Sequence, residues 1–138
     1  MSELSDKIID VHNRGLAEHD KELFATIFAP DVAVELPGAA FEGIEGLLQT
    51  IEVFYTAFPD IELTPRQVWA DETGVVAEQV FTGTHNGPLV SADGEVAPTG
   101  KAVTFGLIDT FVVNDEGQVT AHRVYYDQLA FLSQLGLA

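Results

Sequence analysis

The sequence contains no cysteine and few basic residues. The lack of cysteine excludes disulfide bonds, thiolate catalysis and metal sites built on thiolates. Lysine and arginine together number 6 against 22 aspartate and glutamate residues, which gives a formal net charge of −16 at pH 7. A field of this sign repels nucleic-acid phosphates and anionic membrane surfaces, so we expect neither as a partner. A small neutral or cationic molecule is the ligand class that this charge favours.

The sequence also lacks long apolar runs. None approaches the roughly 20 residues that a membrane-spanning helix needs, and the first ten residues have neither the basic nor the apolar region of a signal peptide. We therefore expect a cytoplasmic protein without a membrane partner. The 138 residues are 46% hydrophobic, without repeats or linkers, which predicts one domain over residues 1–138 with its own core.

Hydrophobic periodicity predicts helices in the first part of the chain and strands in the second. The predicted helices span residues 5–18, a short segment capped by Asp20 and ended by Pro30, residues 44–58 and residues 128–135. The predicted strands span residues 32–36, 61–70 and 75–84, followed by a Gly/Pro-rich connection over 85–101 and a hairpin over 103–126. This order predicts an α+β fold in which the first and third helices cover one face of the sheet.

The predicted hairpin contains the pair of residues with the most chemical character. If Val113 pairs with Gln118 across the loop NDEG, Asp109 faces His122 directly, and side chains opposite each other in a sheet lie within reach of each other. Strand alternation places Val124 and Tyr126 on the same side as His122. A carboxylate beside an imidazole either forms an acid/base pair or satisfies its own hydrogen bonds inside the core.

Several segments of the chain resemble the SnoaL-like polyketide cyclases of the nuclear transport factor 2-like superfamily, with ketosteroid isomerase as a more distant relative. These segments are residues 31–37 (DVAVELP), 83–87 (GTHNG), 98–101 (PTGK), 108–111 (IDTF) and the ending from Asp127 to Gly136. The resemblance implies a cystatin-like or nuclear transport factor 2-like fold, a curved antiparallel sheet wrapped around N-terminal helices to form a cone with an internal cavity. It also implies an apolar small-molecule ligand, no cofactor and a homodimer formed through the outer face of the sheet.

The catalytic residues of these relatives are only partly retained. Val124 stands where the cyclases carry their acid/base aspartate, and Leu107 and Asp109 stand near their assisting glutamine and histidine. In comparison with ketosteroid isomerase, Asp109 matches the protonated oxyanion aspartic acid, His12 falls near the oxyanion tyrosine, and Leu36 replaces the general base. The resemblance therefore implies the scaffold and the cavity, but neither known set of catalytic groups.

Together, the residues and the resemblance predict a site. His122 is predicted to act as general base, with Asp109 orienting its ring and shifting its pKa. His12 or Tyr126 is predicted to stabilise a developing oxyanion. The substrate is expected to contact five apolar or aromatic side chains, namely Leu36, Tyr55, Trp69, Leu107 and Val124. The four histidines show no metal-ligand spacing, so we expect no metal site.

Three functions remain open at this point. The favoured one is a lyase or isomerase of the SnoaL-like type that carries out cofactor-free acid/base chemistry on an apolar carbonyl compound. The first alternative is a non-catalytic module for small-molecule binding or dimerisation on the same fold. The second is an epoxide hydrolase, which needs an arginine in the site that only Arg14 or Arg66 can supply.

Overall fold

The computed structural model describes residues 3–91 and 93–138, which form four helices and eight strands. The helices are α1 (Glu3–Ala17), α2 (Lys21–Ala25), α3 (Ile44–Ala57) and α4 (Gln128–Gln134). The strands are β1 (Phe28–Leu36), β2 (Ala39–Glu42), β3 (Glu62–Asp71), β4 (Gly74–Thr84), β5 (Leu89–Ser91), β6 (Gly94–Val96), β7 (Ala102–Val113) and β8 (Val119–Tyr125).

Six of the strands form one curved, unclosed sheet in the order β2-β1-β8-β7-β4-β3, and β5 and β6 form a separate two-stranded ribbon. The predicted α+β fold with a curved sheet around the helices is confirmed. The sheet is not wholly antiparallel, however, because β1 runs parallel to β8. These two strands lie at opposite ends of the chain and no hairpin joins them, so turn geometry does not impose an antiparallel pairing.

Helix α1 packs on the concave face of the sheet through one apolar stripe. Its buried residues are Ser5, Ile8, Ile9, Val11, His12, Gly15 and Leu16, which recur at helical spacing. Helix α3 buries Leu47 and Ile51 on the same side of the sheet. The predicted apolar stripe of α1 therefore covers the sheet.

Among the described residues no helix is both long enough and apolar enough to cross a bilayer.

Several elements differ from the prediction. Helix α2 ends at Ala25, and Pro30 lies inside β1 rather than at a helix end. The pairing of β1 with β8 is interrupted between Phe28 and Ala33, so Pro30 has no ladder hydrogen bond to lose. Strands β2, β5 and β6 were not predicted, because segments of 3 or 4 residues are too short to show a period of two.

The hairpin of β7 and β8 has a different register from the predicted one. His122 pairs with Phe111, and Asp109 pairs with Val124, because an irregularity between Val112 and Val113 shifts the ladder. The shift amounts to two residues for the pairs from Ile108 to Val112, which keeps Asp109 and His122 on the same face of the sheet. Asp109 and His122 are thus diagonal neighbours rather than direct partners.

Candidate functional site

A cavity of about 70 Å³ lies between the concave face of the sheet and the helices, partly open to solvent. Its walls are almost entirely apolar, and α3 contributes Leu47, Ile51 and Phe54. The polar side chains that line it are His12, Thr50, Asp109, His122 and Tyr126. Apolar walls with a few convergent polar groups are typical of small-molecule sites.

Seven of the nine residues predicted for the site line this cavity. They are His12, Leu36, Leu107, Asp109, His122, Val124 and Tyr126. The structure thus brings seven of the predicted site residues to one cavity, while the role of each side chain stays a prediction.

Trp69 and Tyr55 do not line the cavity. Trp69 is 53% exposed on the outer face of the sheet, because β3 has a bulge between Pro65 and Gln67 that reverses the alternation after Leu63. Val68 packs against the core in its place. Tyr55 lies at the edge of the α3 stripe and stacks on His19, with their ring centroids 4.5 Å apart.

Two histidines converge on one carboxylate oxygen at the polar end of the cavity. His122 Nε2 lies 3.7 Å from Asp109 Oδ1, and His12 Nε2 lies 3.9 Å from the same oxygen. All three residues are at most 3% exposed. These distances are longer than a hydrogen bond allows, so neither histidine forms a hydrogen bond with Asp109 Oδ1.

A chain of buried hydrogen bonds holds this cluster from behind. Gln79 Nε2 donates to Asp109 Oδ2 at 2.7 Å, and Asn13 Nδ2 donates to Gln79 Oε1 at 2.7 Å. Asn13 Oδ1 lies 2.9 Å from His12 Nδ1. Because a carboxylate can only accept, the NH₂ group of Gln79 must face Asp109. The Gln79 oxygen then faces Asn13, so the NH₂ group of Asn13 faces Gln79 and its oxygen faces His12. His12 Nδ1 must then carry the proton and donate.

His122 is fixed in the same tautomer by the backbone. Its Nδ1 lies 3.1 Å from the carbonyl oxygen of Thr110, which can only accept, so Nδ1 carries the proton. In the neutral rings the Nε2 atoms of both histidines therefore bear lone pairs. His12 donates to an oxyanion from Nε2 only when its ring is protonated, and this leaves Tyr126 as the neutral donor among the predicted residues.

The surroundings of His122 favour the uncharged ring. Burial is the main cause that lowers the pKa of His122 to about 4; the nearby Asp109 opposes this shift and His12 adds to it. The ring stacks on Phe111, with their centroids 4.6 Å apart. Burial also raises the pKa of Tyr126, which keeps its phenol protonated. The cavity thus holds a neutral imidazole base and a neutral hydroxyl donor.

Asn13 and Gln79 are the site residues that sequence reasoning missed. The signal that was available is the alternation of β4, in which Val75, Ala77 and Phe81 point inward and Gln79 occupies an inward position between them. A polar side chain at such a position needs a buried partner.

The other histidines and the arginines lie outside the cavity. His85 is buried beside Thr99, where it holds the loop, and His19 binds the carbonyl oxygen of Pro59. None of the three arginines lines the cavity; Arg14 pairs with Glu18 and Asp10 on the exposed side of α1. The arginine that an epoxide hydrolase needs is therefore absent from this site.

Comparisons with known proteins identify the family and the fold. The sequence model of the SnoaL-like polyketide cyclase family matches residues 7–135 of this chain. The chain belongs to the SnoaL-like polyketide cyclase family. Sequence comparison with curated proteins gives no match.

Solved structures share the fold of this SnoaL-like protein over nearly its whole length. TsrD from Streptomyces laurentii has a TM-score of 0.83 at 24% identity, covering 100% of this chain and 99% of that one. IdmH from Streptomyces antibioticus has a TM-score of 0.79 at 26% identity, covering 98% and 99%. A Catenulispora acidiphila protein with a ketosteroid isomerase-like fold, solved with trimethylamine, has a TM-score of 0.78 at 17% identity, covering 97% and 95%. The resemblance seen in the sequence is thus confirmed at the level of family and fold.

Proposed function

We propose that this SnoaL-like protein catalyses a cyclase- or isomerase-type reaction on an apolar carbonyl compound, with its own side chains as acid and base. The observation that carries the proposal is the Nε2 lone pair of His122, which lies in an apolar cavity with Asp109 at 3.7 Å. A base in a largely apolar cavity beside a fixed carboxylate is suited to removing a proton from carbon.

The proposed step begins with proton transfer from the carbon next to the substrate carbonyl to Nε2 of His122. Asp109 stabilises the imidazolium that forms, and Nδ1 keeps its hydrogen bond to the carbonyl oxygen of Thr110. The negative charge moves to the substrate oxygen, where the Tyr126 hydroxyl acts as donor. In an isomerisation the proton then returns from His122 to another carbon. In a ring closure the enolate carbon attacks a second carbonyl, and the alkoxide that forms takes the proton from His122.

The proposal differs from the chemistry of the related cyclases in the identity of the base. Val124 leaves no acid/base aspartate at the position that those enzymes use, and Val124 lines the cavity as part of its apolar wall. His122 lies two residues earlier on the same strand, also lines the cavity, and can accept a proton. The proposed base is therefore displaced by two residues along β8.

The size of the cavity limits the substrate. About 70 Å³ is well below the roughly 300–1,000 Å³ of typical ligand pockets. We therefore propose that a single ring or the reacting end of a larger molecule enters it. The rest of such a substrate lies outside the mouth, where Leu36, Val124 and Tyr126 also border a second, shallower pocket.

The experiment that tests this function is hydrogen exchange at carbon. Cyclic ketones of one to four rings are incubated with the protein in D₂O, and deuterium next to the carbonyl is measured by mass spectrometry. We expect exchange with at least one ketone, reduced about 100-fold or more in His122→Gln, since a general base contributes roughly 10²–10⁴-fold. His19→Gln is the matched control, because His19 lies outside the cavity. Undiminished exchange in His122→Gln excludes His122 as the base.

A non-catalytic binder on the same fold is the alternative, and its supporting observation is the internal network that already satisfies Asp109 Oδ2. Ketones that bind without exchange at any pH support this reading.

We also propose that the protein forms a homodimer through the outer face of the sheet, where Trp69, Val76 and Val112 are exposed. The cytoplasmic location stays a prediction from the sequence.

A further inference from the structure

Three acceptor atoms face one another in the cavity, and the contacts of the described residues provide no donor between them. Nε2 of His12 and Nε2 of His122 bear lone pairs in the neutral rings, and both point to Asp109 Oδ1. Lone pairs that converge in a buried site repel one another unless a proton, a water molecule or a metal cation lies between them. The geometry points to a binding site for one divalent transition-metal ion, with His12, Asp109 and His122 as its ligands.

The hydrogen bonds behind the cluster are those that metal ligands need. A histidine ligand commonly donates its other ring N–H to a backbone carbonyl or another oxygen, which fixes the tautomer and the ring orientation. His122 does this to the Thr110 carbonyl oxygen, and His12 to Asn13 Oδ1. Asp109 receives the equivalent support at Oδ2 from Gln79. The atoms left over are one lone pair on each ring and Oδ1.

The distances suit an ion after a small closure. The three ligand atoms lie within 4.8 Å of one another, with Asp109 Oδ1 at 3.7 and 3.9 Å from the two nitrogens. A tetrahedral ion with bonds of about 2.0–2.1 Å needs ligand atoms about 3.3 Å apart. Rotations of the side chains that bring these atoms together by about 0.4 to 1.5 Å complete the site, and the attraction of the ion favours them.

The ligand set selects the class of ion. Two imidazoles and one carboxylate suit zinc, cobalt or ferrous iron, whereas calcium and magnesium prefer all-oxygen sites. The ion has a route to the site through the cavity, which all three ligands line, and a fourth coordination position remains on the cavity side. The net charge of −16 raises the local concentration of cations.

The metal site goes beyond the proposed function, and metal binding and the proposed catalysis compete for the same atom of His122. An ion bound to Nε2 of His122 occupies the lone pair that the proposed base uses. Zinc is therefore expected to suppress the proton exchange of the metal-free protein. Binding itself needs no turnover, so the ion site can be established even if no ketone exchanges.

The test is a titration of chelator-treated protein with Co²⁺ at pH 7.5, followed by visible absorption and calorimetry. We expect one equivalent to bind with the absorption bands of nitrogen-ligated cobalt, and Zn²⁺ to displace it. Asp109→Asn and His122→Gln should each weaken binding by about 100-fold or more, and Gln79→Leu by about 10- to 100-fold, as expected for the loss of a group that supports a ligand. Circular dichroism establishes that each variant is folded.

Two controls separate this site from the acidic surface. His19→Gln should bind as the unchanged protein does, and excess Mg²⁺ should not compete. In the unchanged protein labelled with ¹⁵N-histidine, one equivalent of Zn²⁺ should shift the Nε2 signals of His12 and His122 and leave those of His19 and His85 in place. An absence of bound cobalt, binding that persists undiminished in Asp109→Asn, or zinc shifts spread over all four histidines overturns the proposal.

Discussion

At the scale of single residues, His122 connects stability to pH. Its ring is 2% exposed, and burial lowers its pKa from 6.5 to about 4. The unfolded chain therefore binds a proton near pH 6.5 that the folded protein does not accept until about pH 4, so protonation favours unfolding over that interval. The difference between the two values corresponds to roughly 3 kcal/mol.

We therefore predict that the free energy of unfolding of the metal-free protein falls as pH decreases from 6.5 to about 4, partly because of His122. Urea titrations at several pH values measure this fall. The fall should be smaller in His122→Gln, by roughly 3 kcal/mol at most; His19→Gln, at an exposed position, is the matched control for the substitution itself. Equal pH dependence in the unchanged protein and in His122→Gln contradicts the prediction.

Gln79 is the residue whose loss should affect the cluster most without removing a predicted catalytic group. Gln79→Leu leaves Asp109 Oδ2 and Asn13 Nδ2 without their hydrogen bonds inside the protein. Unsatisfied buried groups cost about 1–3 kcal/mol each, so we expect a loss of roughly 2–4 kcal/mol in urea titrations.

The matched control for this change is Gln67→Leu, at an exposed position of β3. A surface substitution of this kind usually alters stability by about 0.5 kcal/mol or less. If Gln79→Leu and Gln67→Leu cost the same, the hydrogen-bond chain does not hold the cluster.

At the scale of elements, the alternation of side chains predicted which face of the sheet a residue lies on, but it did not predict the positions of β-bulges. The hairpin register was wrong by two residues, yet Asp109 and His122 still share a face, since an even shift preserves alternation. In β3 the bulge after Pro65 inserts one residue, and this odd shift turns Trp69 outward. Bulges depend on how neighbouring strands meet, which one sequence does not reveal.

The site shows the same division between local and long-range information. His12 was found from the stripe of α1, and His122 from the alternation of β8, because both patterns are local. Convergence of both rings on one oxygen depends on how α1 crosses the sheet. The link from Asn13 through Gln79 to Asp109 joins residues 66 and 30 positions apart, and local periodicity contains no information about it.

Helix α4 offers a prediction at the level of one element. Asp127 is its N-cap and accepts a hydrogen bond from the Ala130 N–H at 3.0 Å. Phe131 of the same helix packs against Phe58 and Phe105 beside the cavity. Asp127→Ala should cost about 1 kcal/mol, the usual contribution of an N-cap, which lowers Tm by about 3 °C in a chain of this size.

Asp127→Asn is the matched control, since its side-chain oxygen can accept the same hydrogen bond and asparagine caps as well as aspartate. Thermal denaturation followed by circular dichroism compares the three proteins. If Asn and Ala lower Tm equally, the charge of Asp127 matters and its capping hydrogen bond does not.

At the scale of the whole molecule, the acidic charge and the apolar outer face have opposite effects on association. A net charge of −16 makes two copies repel each other at long range. Trp69, Val76 and Val112 are nevertheless 53%, 37% and 39% exposed on the adjacent strands β3, β4 and β7. Trp69 and Val76 are direct partners in the ladder, and Val112, which pairs with Gly74, is a diagonal neighbour of Val76, so the three residues form one apolar patch.

We expect burial of this patch to outweigh the repulsion once salt screens the charges, giving a dimer of about twice the 14.9 kDa chain mass. Val76→Glu places a charge in the patch and should yield monomers in sedimentation experiments at 0.15 M salt. Val90→Glu is the matched control, because Val90 is 51% exposed on β5, outside the six-stranded sheet. A dimer that survives Val76→Glu but dissociates in Val90→Glu would move the interface to the β5–β6 ribbon. A monomer before any substitution would mean that the repulsion prevails and that the exposed patch has another use.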